Sequence, residues 1–175
     1  MSVEGLQPKD YVHLHNHTHY SLLDGLTKIP ALFDYVQEKG MEAIAITDHG
    51  TLSGLIEFYK EAGAKGVKPI LGMETYVAAR KLSDKEPGHD KQYYHLILLA
   101  MNMQGYQNLM RLSSIANLDG FYYKPRIDRD VLKQYNEGLI VLSACIGGEV
   151  GDALRNGQYE QAKKTASWYK SVFGD

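Results

Sequence analysis

Residues 43–78, AIAITDHGTLSGLIEFYKEAGAKGVKPILGMETYVA, decide the architecture. The opening AIAIT (43–47) is an unbroken apolar run of the kind that fills a buried strand. Thr51–Ala64 has helical spacing, with Leu52, Leu55, Ile56 and Tyr59 on one face, and Gly66 suits a left-handed stop. Pro69–Ala78 reads as a second strand. A strand, a helix and a strand in succession make a βα unit and predict a mostly parallel sheet.

The same rhythm extends in both directions. Upstream, Lys28–Lys39 is an amphipathic helix stopped by Gly40, and Tyr11–His15 alternates as a short strand. Downstream, HLILLA (95–100) and LIVLSA (139–144) are strands. Helices are expected over Gln104–Leu118, Asp128–Tyr135, and near 148–155 and 158–172. This gives an α/β fold of about five strands in one domain over 1–175, with no internal repeat. Residues 80–92, RKLSDKEPGHDKQ, are polar and carry Pro and Gly, which predicts a mobile loop. The end, SVFGD, meets a helix stop with no closing strand, so the chain is expected to be the first part of a larger unit.

The totals narrow the function. The chain has 175 residues, 44% apolar and 23% charged, enough for one domain with a core. No apolar run is long enough to cross a bilayer, and MSVEGLQPKD lacks the basic-then-apolar order of a secretion signal, so a cytoplasmic protein is expected. The single cysteine excludes an internal disulfide framework and fits a reducing compartment, where a thiol is free to bind metal. A net charge of −2 leaves no basic face for a DNA duplex.

The chemistry concentrates in YVHLHNHTHYSLLDG (11–25), where His13, His15, His17 and His19 occupy alternate positions. Alternate residues of a strand share a face about 7 Å apart, so His15 and His17 are able to converge on one metal or on neighbouring ions. The competing reading is a solvated imidazole face. What decides between them is where the other ligand types fall. TDHG places Asp48 and His49 just past the second strand, GMETYV carries Glu74, and SAC ends a strand with Cys145. In parallel βα folds that edge is where sites assemble. His95 opens its strand instead of ending it, and joins the set only if that strand runs antiparallel to the one before it, as a hairpin through 80–92 allows. Asp24 adds a carboxylate. His13 and His19 are read as groups behind the ligands or on the surface, and His89 as solvated. Asp48 either orients His49 or caps the following helix. Lys124 and Arg126 in GFYYKPRID (120–128) are read either as a phosphate grip or as charges on a tyrosine-rich packing turn; Lys68 also adds a cation near a strand end. Seven candidate ligands exceed the four or so of one tetrahedral ion and suit two or three bridged ions, an arrangement fitted to phosphate-ester hydrolysis.

HLHNHTHYSLLDG, AITDHGTLSGLIEFYKEAGAKGVKPILGMETYV, YHLILLA, GFYYKPRID and LIVLSACIGGEV, in this order and spacing, resemble the N-terminal PHP (polymerase and histidinol phosphatase) domain of bacterial DNA polymerase III alpha subunits. The resemblance implies a distorted (β/α)7 barrel, here incomplete, with a site for up to three divalent ions: zinc, manganese or iron. It implies His15, His17, Asp24, His49, Glu74, His95 and Cys145 as metal ligands, with two further ligands, the closing strands, and the magnesium-dependent polymerase site lying beyond residue 175. Three functions follow as alternatives: a metal-dependent 3′–5′ exonuclease or phosphoesterase, a docking module for a separate proofreading exonuclease subunit and other replisome subunits, or a small-molecule phosphatase like histidinol phosphatase. In the first two, DNA is the partner of the whole polymerase. An open barrel would also leave an unpaired edge, so association between copies is expected.

Overall fold

In the computed structural model, which describes residues 5–174, the βαβ unit forms as its pattern predicts. Strand β1 (Ala43–Ile46) pairs parallel with β2 (Lys68–Ala78), Ala43 opposite Lys68 and Ile46 opposite Leu71, and α2 (Leu55–Lys65) connects them. Gly66 takes φ +66° and its N–H closes the last turn of α2 on the Ala62 carbonyl. The helix begins four residues later than predicted, because Thr51 and Ser53 bond to each other in a turn of their own. Its buried stripe is Leu55, Phe58 and Ala62; Ile56 and Tyr59 point to solvent. Before β1 runs α1 (Ile29–Glu38), whose Phe33 meets Phe58 with ring centroids 4.9 Å apart.

Strand β3 (Tyr93–Ala100) returns antiparallel along β2, from Gly72 opposite Leu99 to Ala78 opposite Tyr93, which is the hairpin that His95 requires. Strand β5 (Leu139–Leu142) lies antiparallel to β3 and therefore parallel to β2. Past the end of β1, the two-residue strand β4 (Arg126–Ile127) pairs with Tyr76 and Val77. The sheet thus has five strands, all parallel except β3. Helix α3 (Met103–Leu118), α4 (Arg129–Gln134), α5 (Glu149–Arg155) and α6 (Tyr159–Phe173) complete the order. Asn102 and Asp128 cap α3 and α4 through their side chains.

Strand period two sorts the sheet into faces. Val77, Leu96 and Leu98 pack beneath Leu109, Leu112 and Leu132 of the helices. The other face carries Ala45, Ile97 and Leu99 with Ile70 and Leu142. Farther along that same face come Glu74 and His95, so one row of positions passes from core to site.

Two expectations are corrected. Residues 11–15 are extended but form no regular strand. The carbonyls of His13 and Asn16 accept from Ala45 and Thr47 at 2.9 Å, three residues on one side facing two on the other. The Asn16 side chain fills the skipped rungs by donating to His13 and Ala45 carbonyls at 3.1 Å. Residues 80–92 are tied down instead of loose. Arg80 grips buried Asp90 with Nε and Nη2 at 2.8 and 2.6 Å, and the Glu86 N–H donates to the same carboxylate at 2.8 Å. Arg126 donates from within to the carbonyls of Gly120, Leu82, Asp84 and Asp90. His89 stays largely exposed, as expected.

These contacts give a pH signature. The hydrogen bonds from Arg80, helped by the Glu86 N–H and the charges of Arg80 and Arg126, outweigh desolvation and hold Asp90 at about 2 against an ordinary 3.8. A depressed carboxyl stabilises above its unfolded value and loses that contribution as pH falls through its folded value. The stability gap between wild type and Asp90→Asn should be constant above pH about 4 and shrink towards pH about 2. Denaturant unfolding at stepped pH reads it; a gap independent of pH across that window would contradict the assignment.

Of the sequence-level expectations, those on residues 1–4 and 175 lie outside the described residues. Among the described residues no helix is long and apolar enough to cross a membrane.

Candidate metal centre

The site is built around Glu74. Beyond Ile46 the chain stays beside β2: the Glu74 N–H donates to the Asp48 carbonyl at 3.1 Å and the Gly50 N–H to the Glu74 carbonyl at 2.8 Å. This sets His49 against Glu74. The β2–β3 register puts His95 opposite Tyr76, diagonal to Glu74. The His95 N–H donates to the Gly147 carbonyl at 3.0 Å, which draws the turn after β5, with Cys145, to the same end. The irregular 11–18 segment delivers His15 and His17.

The side chains converge on one carboxylate, which is fully buried. Glu74 Oε2 lies 2.7 Å from His15 Nε2, 2.9 Å from His17 Nε2 and 3.6 Å from His49 Nδ1, while His95 Nδ1 abuts Oε1. His15 Nε2 and His17 Nε2 face each other at 3.0 Å, and Asp24 Oδ2 is 2.6 Å from His49 Nε2. Cys145 Sγ is 3.9 Å from His95 Nδ1. The structure therefore brings together all seven residues singled out in the sequence, around a recess of about 390 Å³. Two triads, His15–His17–Glu74 and His49–Glu74–His95, each hold their ligand atoms within 4.8 Å of one another and share Glu74.

The donor chemistry fits divalent ions. Buried Glu74 Oε1 and His49 Nδ1 have no aligned hydrogen-bond partner, although ring nitrogens crowd the carboxylate. Lone pairs turned towards one another at such distances are the arrangement that shared cations satisfy. Electrostatics agrees. Burial alone would raise Glu74, but the imidazoles of His17, His95, His15 and His49 gathered around it hold it far below the usual carboxylate range. Burial holds His49 below an ordinary imidazole, so it is neutral at pH 7. Burial also lowers His17, but the bond and charge of Glu74, with Asp48 and Asp24, carry it above the ordinary value. A proton competes with an ion at His17, so metal binding weakens as pH falls.

Asp48 neither orients His49 nor caps α2. Its carboxylate is buried and accepts from Thr18 N–H at 2.6 Å, Thr18 Oγ1 at 2.7 Å and Ser21 Oγ at 2.7 Å. Ser21 Oγ in turn accepts from the His49 N–H at 3.1 Å. Asp48 thereby fixes the 18–25 turn that carries Asp24. Glycine is required at 25, where a Cβ would lie 2.0 Å from the Thr18 carbonyl oxygen. Sequence reasoning missed Thr18 and Ser21; the signal was two hydroxyls among the histidines with a carboxylate on the neighbouring strand. Asp48→Ala should cost about 2 kcal/mol, since three donors lose their acceptor. It should also weaken metal binding roughly 10- to 100-fold. Asp48→Asn, which keeps one acceptor, should lose less of both, as read by denaturant unfolding and metal titration. Equal losses in the two variants would contradict this role.

The remaining expectations divide. Lys124 lines a groove that opens beside the cluster, its Nζ 5.5 Å from the centre of the Tyr76 ring. Arg126, read either as a phosphate grip or as part of a packing turn, is buried with four of its five N–H donors engaged by backbone carbonyls, which favours the packing role. Lys68 opens β2, at the far end of the sheet from Glu74 and the recess. His13 packs edge-on to Tyr11 and His19 against Tyr20, away from the seven.

Fold and site together define an α/β protein with a metal-binding rim at one end of its sheet. The chain belongs to the PHP domain family, whose family model matches residues 13–175. It is similar to DNA polymerase III subunit alpha of Borreliella burgdorferi, 50% identical over 166 residues, and of Thermus aquaticus, 48% identical over 169. Each match covers 94% of this chain and 14% of the relative, so the chain spans about one seventh of their length. Among solved structures, an amidohydrolase from Chromobacterium violaceum aligns with TM-score 0.41 and 21% identity, covering 59% of this chain and 34% of that one.

Proposed function

We propose that the chain is a metal-dependent phosphoesterase unit of a replicative DNA polymerase alpha subunit, cleaving a terminal phosphodiester in the 3′–5′ direction. The observation that carries this is the pair of ligand triads sharing Glu74. Divalent ions bound there supply charge that polarises a phosphorus–oxygen bond and makes water more acidic. His15, His17, His49, His95, Asp24, Cys145 and Glu74 hold them. Lys124, with no carboxylate partner among the described residues, steadies the phosphate. Zinc, manganese and iron all suit this donor set.

The test is hydrolysis of a single-stranded 3′ end by the purified polypeptide that carries this chain, with manganese or zinc. His15→Ala with His17→Ala should remove both activity and bound metal. Undiminished activity in that variant would defeat the reading.

One observation favours a second reading, in which the unit also docks a separate proofreading exonuclease. A groove of about 400 Å³ between α2 and α3, lined by Ile56, Tyr59, Met101 and Met103, lies away from the metal centre. Metal-dependent stability without turnover would mark that role as the main one.

A further inference from the structure

We propose that the groove beside the metal centre seats the base of a nucleotide, with the phosphate turned towards Lys124 and the ligand cluster; this rests on the phosphoesterase reading above. The groove, about 600 Å³, is lined by Asp24, His49 and His95, which it shares with the metal recess. Any ligand filling it therefore lies against the proposed ions.

Its other walls are not those of a simple phosphate pocket. Leu22 and Leu23 line it and are 83% exposed and fully exposed. They are held out by structure: Asp24 and Gly25 N–H both donate to the Ser21 carbonyl, and Leu23 adopts φ +67°, which a non-glycine residue rarely takes. Neither belongs to a core cluster. Aromatic surface completes the groove. Tyr93 lies parallel to His95, 8° between planes, on the same face of β3, and Tyr76 meets Tyr93 edge-on with centroids 5.0 Å apart.

One cation, an ion-binding cluster, and apolar and aromatic walls within a single groove call for a ligand with an anion at one end and a flat ring a few bonds away. A sugar phosphate leaves the leucines and Tyr93 wet. A nucleotide covers them, since every base presents a π face for stacking. The described lining contains no Asn, Gln or Arg, and the hydroxyls of Thr51 and Ser53, which also line it, bond to each other at 2.8 Å, so the seat is tolerant of base identity.

Equilibrium dialysis tests this with the purified, zinc-loaded protein and four probes: thymidine 5′-monophosphate, deoxyadenosine 5′-monophosphate, 2-deoxyribose 5-phosphate and phenyl phosphate. The two nucleotides should bind within about threefold of each other and about tenfold tighter than deoxyribose phosphate. Tyr93→Ala should narrow that margin to below roughly threefold. Leu23→Asn, which keeps the turn because Asn tolerates positive φ, should narrow it likewise. Equal binding of nucleotide and deoxyribose phosphate would overturn the base seat and leave the phosphoesterase reading standing. Phenyl phosphate binding as well as the nucleotides would overturn the assignment to a base. Failure of every probe to bind, with metal content unchanged in His15→Ala/His17→Ala, would bring down both.

Discussion

Glutamine in place of Glu74 is expected to lower divalent-metal affinity by more than about a hundredfold, beyond the range reached by changes outside the ligand sphere. Glu74 is the one residue common to both triads, so its loss removes a ligand from each. The amide is neutral and presents an N–H2 donor where ring nitrogens need an acceptor or an ion. Four imidazoles would be left around an uncharged group. In metal-free wild type, the depressed carboxyl stabilises above the ordinary value of 4.5 and loses that contribution as pH falls; the Gln variant lacks it throughout. Elemental analysis and calorimetric titration with zinc or manganese measure the effect. Unchanged stoichiometry and affinity would show that ions, if bound, sit elsewhere.

The second large effect is on stability. Arg126→Met keeps the length of the side chain and removes its donors, leaving the carbonyls of Leu82, Asp84, Asp90 and Gly120 without that partner inside the protein. The expected loss is about 3 kcal/mol or more. For a chain of this size that lowers Tm by about 6–12 °C. Arg126→Lys should recover little, because a single ammonium cannot span the carbonyls that the planar fork reaches. Thermal unfolding and limited proteolysis of residues 80–92 report the change. A phosphate-holding Arg126 would instead leave Tm unaltered and affect substrate binding alone.

Much of the molecule was legible because periodicity and burial agree. AIAIT and PILGMETYVA are apolar in the way buried strands must be, and the absence of a helix between β2 and β3 allowed the antiparallel return that brings His95 to Glu74. Strand positions pointed to His49, Glu74, Cys145 and, through the hairpin, His95; alternation pointed to His15 and His17, LLDG offered Asp24, and the family resemblance joined the seven into one ligand set. What escaped was set by side-chain hydrogen bonding, which leaves no periodic trace. Asn16 replaces backbone rungs with its amide, so the 11–15 pattern reads as a strand and folds as an irregular ribbon. Arg126 follows a proline in a strand two residues long, and nothing local shows that its charge faces inward. The polar loop 80–92 reads as loose because its restraints, Arg80–Asp90 within it and Arg126 beyond it, are visible only in three dimensions. Asp48 looked like a helix cap or a partner for His49, whereas its acceptors were already claimed by Thr18 and Ser21.

The reversed direction of β3 carries a consequence for how the molecule reaches its working state. Every rung from Gly72–Leu99 to Ala78–Tyr93 has to be threaded correctly before His95 meets Glu74. A slip of one residue would turn His95 under the helices and offer Leu96 or Tyr94 in its place. A misthreaded hairpin would thus be both badly packed and short of one ligand of the His49–Glu74–His95 triad, so cation uptake at that triad reports correct threading of the hairpin.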